Sequence, residues 1–159
     1  MKKRRLHSIL VLILIFIGGQ GFSQQHLDSI IAANKMKIYE NPNVAIEIGK
    51  QVYEEATNPK TKINALIHVS NAYLSKRENA KSLEYILKAR EYLPMIDGVE
   101  TKINFLNAIG MQHQQLRIYD KAIAYLDEAL TLTESISKND SINTMLGYNY
   151  AIRGFIYRE

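Results

Sequence analysis

Residues 61–94 read TKINALIHVSNAYLSKRENAKSLEYILKAREYLP, and residues 101–134 read TKINFLNAIGMQHQQLRIYDKAIAYLDEALTLTE. Both stretches open with Thr-Lys-Ile-Asn, and their apolar and small residues then recur in the same order at an offset of 40 positions. The matched pairs are Leu66 and Leu106, Val69 and Ile109, Ser70 and Gly110, Tyr73 and His113, Ser82 and Ala122, Ile86 and Leu126, Ala89 and Ala129, and Pro94 and Glu134. An internal repeat of this length predicts stacked supersecondary units. Because such units form extended binding surfaces, the repeat also favours a binding scaffold.

Apolar residues after Leu27 recur at spacings of three and four, which is the period of amphipathic helices. No stretch combines sustained alternation with β-branched residues, so a sheet is not expected. Segments rich in Asn, Pro, Gly and Asp separate the periodic stretches and have the composition of turns. The sequence therefore predicts an all-α fold of antiparallel neighbouring helices. The predicted helices cover residues 27–40, 43–57, 61–76, 79–94, 100–116, 120–136 and 142–158.

The first 23 residues have the layout of a secretory signal peptide. Residues 2–5 are all basic, an apolar run extends from Ile9 to Ile17, and glycines precede Ser23. The apolar run is shorter than the roughly 20 residues that cross a bilayer. We predict cleavage after Ser23 and export across the inner membrane to the periplasm or the extracellular space. The alternative is an uncleaved or downstream membrane anchor that tethers the chain.

The charge balance changes when residues 1–23 are removed. The full chain has 20 Lys and Arg against 16 Asp and Glu, and residues 2–5 supply four of the cations, which leaves 16 against 16. A balanced mature chain gives no reason to expect nucleic acid or an anionic membrane as partner. The chain has no cysteine, so disulfides and thiolate chemistry are excluded.

The polar residues do not form a catalytic pattern. The four histidines are scattered, and no pair of them combines with carboxylates at the spacing of metal ligands. His68 and His113 are interpreted as packing or partly exposed helix residues. Glu54-Glu55 and Asp127-Glu128 are adjacent pairs, which point apart on a helix. We predict no catalytic residue, no metal and no cofactor, and hence a protein that is not an enzyme.

The repeated pattern resembles the tetratricopeptide repeat, a helix-turn-helix unit of 34 residues. Residues 63–96 and 103–136 match it best, although His113 and Glu134 occupy its tyrosine and proline positions. A weaker unit is expected at about 26–59, and an incomplete unit at 147–159 with Gly154 at the small-residue position. The resemblance implies a short right-handed α-solenoid. Its expected packing residues are Leu66, Ser70, Tyr73, Ser82, Ala89, Leu106, Gly110, Ala122, Leu126, Ala129 and Gly154.

In this family the first helix of each unit lines a concave surface. The resemblance therefore implies a groove whose lining is rich in amides: Asn64, Asn71, Asn104, Asn107, Met111, Gln114 and Gln115. Amide side chains donate and accept hydrogen bonds, which suits the backbone of an extended peptide, and methionine provides adaptable apolar contact. An ordinary solvated helix face is the other interpretation of the same residues.

From these expectations we predict that the protein is a non-catalytic scaffold that binds a peptide segment of another protein. The chief alternative is the extracytoplasmic sensory region of a signalling or transcription-regulatory protein, with membrane and output domains beyond residue 159. The final predicted helix ends on Phe155, Ile156 and Tyr157 without a helix to cover it. We therefore expect either a continuing chain or self-association through that face.

Overall fold

A computed structural model of the protein describes residues 24–136 and 139–158, and within these ranges the chain is all-α, with no strand. The predicted signal peptide lies outside them. The helices are α1 (24–33), α2 (Lys37–Glu40), α3 (Pro42–Glu55), α4 (Pro59–Ser75), α5 (Asn79–Arg90), α6 (Val99–Gln115), α7 (Tyr119–Glu134) and α8 (Asp140–Ile156), with a 3-10 turn at Leu93–Met95. The all-α prediction is confirmed.

Asparagine side chains determine where three of the helices begin. The Oδ1 atom of Asn58 accepts a hydrogen bond from the backbone N–H of Thr61 at 2.7 Å at the start of α4. Asn41 caps α3 in the same way, and Asn139 caps α8. After Asn41 and Asn58, proline occupies the first helical position. An N–H at this position has no acceptor within the helix, so its absence from proline costs no hydrogen bond. These helices therefore begin one or two residues before their predicted starts.

Two of the predicted helices are interrupted in the structure. The stretch 27–40 is divided by a turn at 34–36, where the Asn34 side chain donates to the carbonyl of Ile30 at 2.9 Å. Such local bonds from asparagine compete with regular helix geometry. The stretch 79–94 leaves the α-helix after Arg90, because Pro94 lacks an N–H and disfavours helical geometry in the residue before it.

The turns that follow α4 and α6 share one backbone conformation. Arg77 and Arg117 have φ values of 61° and 59°, in the left-handed region that residues other than glycine seldom adopt. In each turn the next N–H donates to a carbonyl five residues earlier, that of Tyr73 in the first turn and of His113 in the second, at 2.9 Å in both. This closure is typical of a Schellman motif. The 40-residue repeat in sequence is therefore also a repeat in backbone geometry.

Each helix from α3 to α8 packs against the next one along the chain. Helices two apart also touch: α2 contacts α4, α4 contacts α6, and α6 contacts α8. Thus α2, α4, α6 and α8 lie side by side in one layer, called here the first layer. The second layer consists of α3, α5 and α7. The largest apolar cluster lies between the layers and includes Ile63, Ile86 and Ile109.

Small residues lie where paired helices cross. Ten of the eleven predicted packing residues are buried, and Gly154 is half-buried. A Cβ atom placed on Gly110 would lie 3.0 Å from the Cγ and Cδ2 atoms of Leu126. That separation is tighter than an ordinary van der Waals contact, so glycine allows the backbones of α6 and α7 to approach closely.

A buried polar network joins α4, α5 and α6. The hydroxyl of Ser70 donates to the carbonyl of Ser82 at 2.9 Å. The side-chain amide of Gln112 donates to Ser70 Oγ at 3.0 Å, and Ser82 Oγ lies 2.7 Å from Gln112 Oε1, to which it can donate. All three residues are at most 1% exposed, so the network holds one helix pair to the next without help from water.

The structure places Gly147, and not Gly154, at the position equivalent to Gly110. Asn149 of α8 reaches back to a carbonyl of α7 at 2.8 Å, much as Gln112 of α6 reaches back to the two serines. Gly147 and Gly110 each lie two residues before these amides, so this unit is offset by 147 − 110 = 37 positions and not by 40. Cβ atoms at Gly147 and Gly154 would meet nothing within 4 Å, since no described helix covers that face.

Candidate binding groove

Most of the predicted groove residues share one face of the first layer. Asn64 and Asn71 are two helical turns apart on α4, and Asn104 and Met111 have the same separation on α6. Each pair therefore lies on one side of its helix. Gln115 is exposed and Asn107 is buried, and the half-buried members are Asn64, Asn71, Asn104, Met111 and Gln114.

Asn71 has an unused acceptor. Its Oδ1 atom is buried and has no hydrogen-bond partner within 24–136 and 139–158. An unpaired buried acceptor costs about 1–3 kcal/mol, and a ligand N–H recovers that free energy when the Asn71 side chain turns this oxygen toward the groove. One turn of helix away on each side, the chain offers no charge that would compete for this oxygen: the flanking residues are Ile67, His68 and Leu74.

Asn107 does not belong to the open groove. It is 3% exposed, its amide donates to the carbonyl of Met145 at 3.3 Å, and its Oδ1 accepts from Asn149 at 2.9 Å. These bonds join α6 to α8, so the side chain is not available to a ligand. The family resemblance assigned Asn107 to the groove because of its position on the first helix of its unit. That pattern does not show that α8, the first helix of the following unit, packs closely enough to bury Asn107.

The remaining predicted groove residues differ in whether their amides already form hydrogen bonds within the chain. The Asn64 amide lies 3.4 Å from a carboxylate oxygen of Asp28, a long hydrogen bond that a ligand could displace. Gln114 accepts from its neighbour Gln115 at 3.0 Å, near the end of α6. Asn104 has no such bond among the residues described, and its amide is free to donate and to accept.

Tyr148 extends the groove onto α8. Its hydroxyl donates to the sulfur of Met111 at 2.5 Å, and burial raises the pKa of this phenol. Tyr39 on α2, which is 67% exposed, is close enough to contribute to the same pKa rise. Sequence reasoning missed both tyrosines. With the 37-residue offset, Tyr148 occupies the position equivalent to Met111, so the correct register would have identified it.

His68 lies beneath the groove on α4 and is 3% exposed. Burial, assisted by the positive charge of Lys35, lowers the pKa of His68 from 6.5 to about 4. Its Nε2 atom has no hydrogen-bond partner among the described residues. The ring is therefore neutral at physiological pH, which agrees with its interpretation as a packing residue.

The chain is expected to lose stability on acidification between pH 6.5 and about 4 because of His68. In this window the unfolded chain binds a proton on this ring and the folded chain does not, so stability present above pH 6.5 is lost as the pH falls. We expect a total of about 3 kcal/mol, since each pKa unit corresponds to about 1.4 kcal/mol. Urea unfolding at pH 7, 5.5 and 4 should show this loss in the wild type and in His113→Gln but not in His68→Leu. Equal pH dependence in all three proteins would contradict it.

Comparisons with protein-family models, with curated proteins and with solved structures found no match. In the part of the chain that the structure describes, no helix has both the length and the apolar character needed to span a membrane. The same part contains no group of three or more His, Asp or Glu side chains placed to hold a metal ion. The groove is thus characterised by its own geometry alone.

Proposed function

We propose that this protein is a non-catalytic, exported helical-repeat scaffold that binds a peptide segment of another protein. The binding site in this proposal is the face of α4 and α6 that carries the half-buried amides. One observation carries the proposal: the buried Oδ1 of Asn71 has no partner within the described chain, on a surface otherwise lined by amides. A peptide backbone N–H is the donor that fits such an acceptor.

The architecture in this proposal is a short right-handed solenoid of the tetratricopeptide type. The matching turns at Arg77 and Arg117 support it, as does the close crossing at Gly110. The contacts of α2 with α4, of α4 with α6 and of α6 with α8 are also compatible with such a stack.

The proposed contacts are of two kinds: hydrogen bonds that give specificity, and apolar contacts that adapt to different side chains. Asn71 accepts from a peptide N–H, and Asn104 can bond both the N–H and the carbonyl of one residue. Met111 provides polarizable apolar contact for a side chain, beside the ring of Tyr148. Such a surface suits an extended segment without carboxylates, because no lysine or arginine lies among the proposed ligand contacts and the Asp28 carboxylate lies beside Asn64.

The test replaces the three accessible amides together. Peptides are selected from a random display library with the purified chain, and their dissociation constants are measured. We expect Asn71→Ala, Asn104→Ala and Gln114→Ala in one variant to weaken binding at least about tenfold, because hydrogen bonds are lost without replacement. Circular dichroism should show unchanged helix content.

The matched control carries three alanines at exposed, uncharged polar positions of the second layer: Asn43, Gln51 and Thr131. This control should bind the selected peptides as the wild type does. Equal affinity in the groove variant and the control would contradict the proposal, as would failure to select any peptide. Crosslinking from a photoreactive residue at position 111, but not at 128, would locate the bound peptide independently.

A further inference from the structure

A second surface lies between α3 and α5, away from the amide groove. Lys50 and Tyr53 are one turn apart on α3, and Tyr85 and Lys88 are one turn apart on α5. They pair across the cleft: the Lys88 Nζ lies 4.2 Å from the Tyr53 ring centroid, and the Lys50 Nζ lies 5.9 Å from that of Tyr85. We call this surface the tyrosine–lysine cleft, and it also includes Lys62 and Tyr92.

One end of the cleft concentrates hydrogen-bond donors. The hydroxyls of Tyr53 and Tyr92 are 2.9 Å apart, and only one of their two protons is used in that bond. The Lys62 Nζ lies 5.3 Å from the Tyr53 centroid and 5.6 Å from that of Tyr92. The ammonium groups of Lys62 and Lys88 therefore both lie within 5.3 Å of the Tyr53 ring centroid, beside a pair of phenols with one free proton.

These ammonium groups are not neutralised by the described chain. Within 24–136 and 139–158, no carboxylate oxygen lies within 4.0 Å of the Nζ of Lys50, Lys62 or Lys88. At the turn after α4, by contrast, Glu78 pairs with Lys76 and with Lys81 at 2.7 Å each. The hydrogen bond from Tyr92, together with the contacts of Lys88 and Lys62, lowers the pKa of Tyr53, whereas the bond to Tyr53, burial and the charges of Glu91 and Glu54 raise the pKa of Tyr92 to about 12.

We propose that the tyrosine–lysine cleft binds an acidic peptide segment, with carboxylates held by Lys62, Lys88 and the tyrosine hydroxyls. Hydrogen bonds between ammonium and carboxylate groups are about twice as strong as neutral ones. Lys50 provides a third cation, one helical turn or roughly 5 Å before Tyr53 on α3, so successive acidic side chains can be engaged. This site is separate from the amide groove on α4 and α6, whose proposed ligand contacts include no cation.

The ring contacts favour a peptide over an acidic polysaccharide. A sugar ring binds by stacking on an open aromatic face, but the faces here are already engaged. Tyr73 and Tyr85 stack on each other with centroids 5.4 Å apart, and the Lys88 ammonium covers Tyr53. The groups that remain free are N–H and O–H donors, which match carboxylates.

The test uses a fluorescein-labelled octaglutamate peptide and measures its fluorescence anisotropy with the purified chain at low and physiological salt. We expect Lys62→Gln with Lys88→Gln to weaken binding at least about tenfold. The control, Lys102→Gln with Lys121→Gln, makes the same change in net charge outside the cleft and should weaken binding less than about twofold. The triple groove variant Asn71→Ala, Asn104→Ala and Gln114→Ala should bind octaglutamate normally, so the two proposals fail separately.

The cleft lysines also contact tyrosine rings, so their replacement could affect folding. Tyr53→Phe keeps the ring and removes one hydroxyl, and we expect it to weaken octaglutamate binding about threefold with an unchanged thermal midpoint. Glu54→Gln removes a negative charge that acts on Tyr92 and should tighten binding. No octaglutamate binding by the wild type, equal loss in the cleft and control variants, or preference for polygalacturonate would each overturn the proposal.

Discussion

Replacing Gly49 by valine is expected to lower the free energy of unfolding by at least about 3 kcal/mol, the upper part of the range for overpacked cores. A Cβ atom at Gly49 would lie 2.5 Å from Val69 Cγ2, 3.2 Å from the carbonyl oxygen of Ala65 and 3.3 Å from His68 Cδ2. Val69 is fully buried and has one preferred rotamer in a helix, and a backbone carbonyl cannot move alone. The backbones of α3 and α4 must therefore separate.

Alanine scanning of the glycines separates this crowding from helix propensity. Alanine is favoured over glycine by about 1 kcal/mol in a helix interior. At Gly147, where a Cβ meets nothing within 4 Å, Gly→Ala should therefore stabilise the chain by about that amount. At Gly49 the same change should destabilise it, because the clash outweighs the gain. Gly110, with contacts at 3.0 Å, should fall between the two.

Chemical denaturation of the three alanine variants and of Gly49→Val provides the measurement. The order of stability should be Gly147→Ala above the wild type, and Gly49→Ala and Gly49→Val progressively below it. If Gly49→Ala proved as stable as Gly147→Ala, the close crossing of α3 and α4 would be wrong. Helix content at low denaturant checks that each variant is folded.

The sequence predicted the helices and most of the crossings for a specific physical reason. The small residues at the crossings recur at a fixed offset, so the sequence pattern identifies them: Ser70 with Gly110, and their partners Ser82 with Ala122. Gly49 belongs to the weaker amino-terminal unit, where no second copy of the pattern marks it. Its role depends on the distance between two backbones, which a single sequence does not contain.

The candidate groove was predictable only where the repeat register holds. Asn71 and Asn104 are both half-buried, and each shares one side of its helix with a second predicted groove residue, because α4 and α6 follow the 40-residue offset. Tyr148 was missed because the last unit is offset by 37 positions, 148 − 111. Asn107 was misplaced because its burial arises from contact with α8, a long-range effect. The tyrosine–lysine cleft gave no signal, since its residues come from separate helices.

Truncation of Gln112 is expected to lower the free energy of unfolding by about 3 kcal/mol, the combined cost of a cavity and of lost hydrogen bonds. Gln112 is 1% exposed and bonds Ser70 at 3.0 Å and Ser82 at 2.7 Å. In Gln112→Ala the space it filled is lined by the two hydroxyls, which lose their shared partner. Ala72 occupies the equivalent position of the preceding unit and is also fully buried, so the amide network belongs to one junction between units.

The serines make it possible to separate packing from hydrogen bonding. Gln112→Met keeps most of the volume but removes the amide, so we expect a loss of about 1–2 kcal/mol. Adding Ser70→Ala and Ser82→Ala to Gln112→Met should cost only about 1 kcal/mol more, because the alanines remove the serine bonds to the facing carbonyls but leave no amide unsatisfied. The same two alanines in the wild-type background should cost about 2 kcal/mol, since Gln112 would then be the unsatisfied group.

A thermodynamic cycle over these variants measures the coupling between the two helix pairs. Non-additivity of at least about 1 kcal/mol is expected, because all three side chains belong to one network. The control cycle combines Gln112→Met with Thr131→Ala, an exposed residue whose hydroxyl bonds only its own helix at 3.0 Å. If the two cycles gave equal coupling, the network would not be what joins α6 to the preceding pair, and apolar contacts alone would account for the stacking.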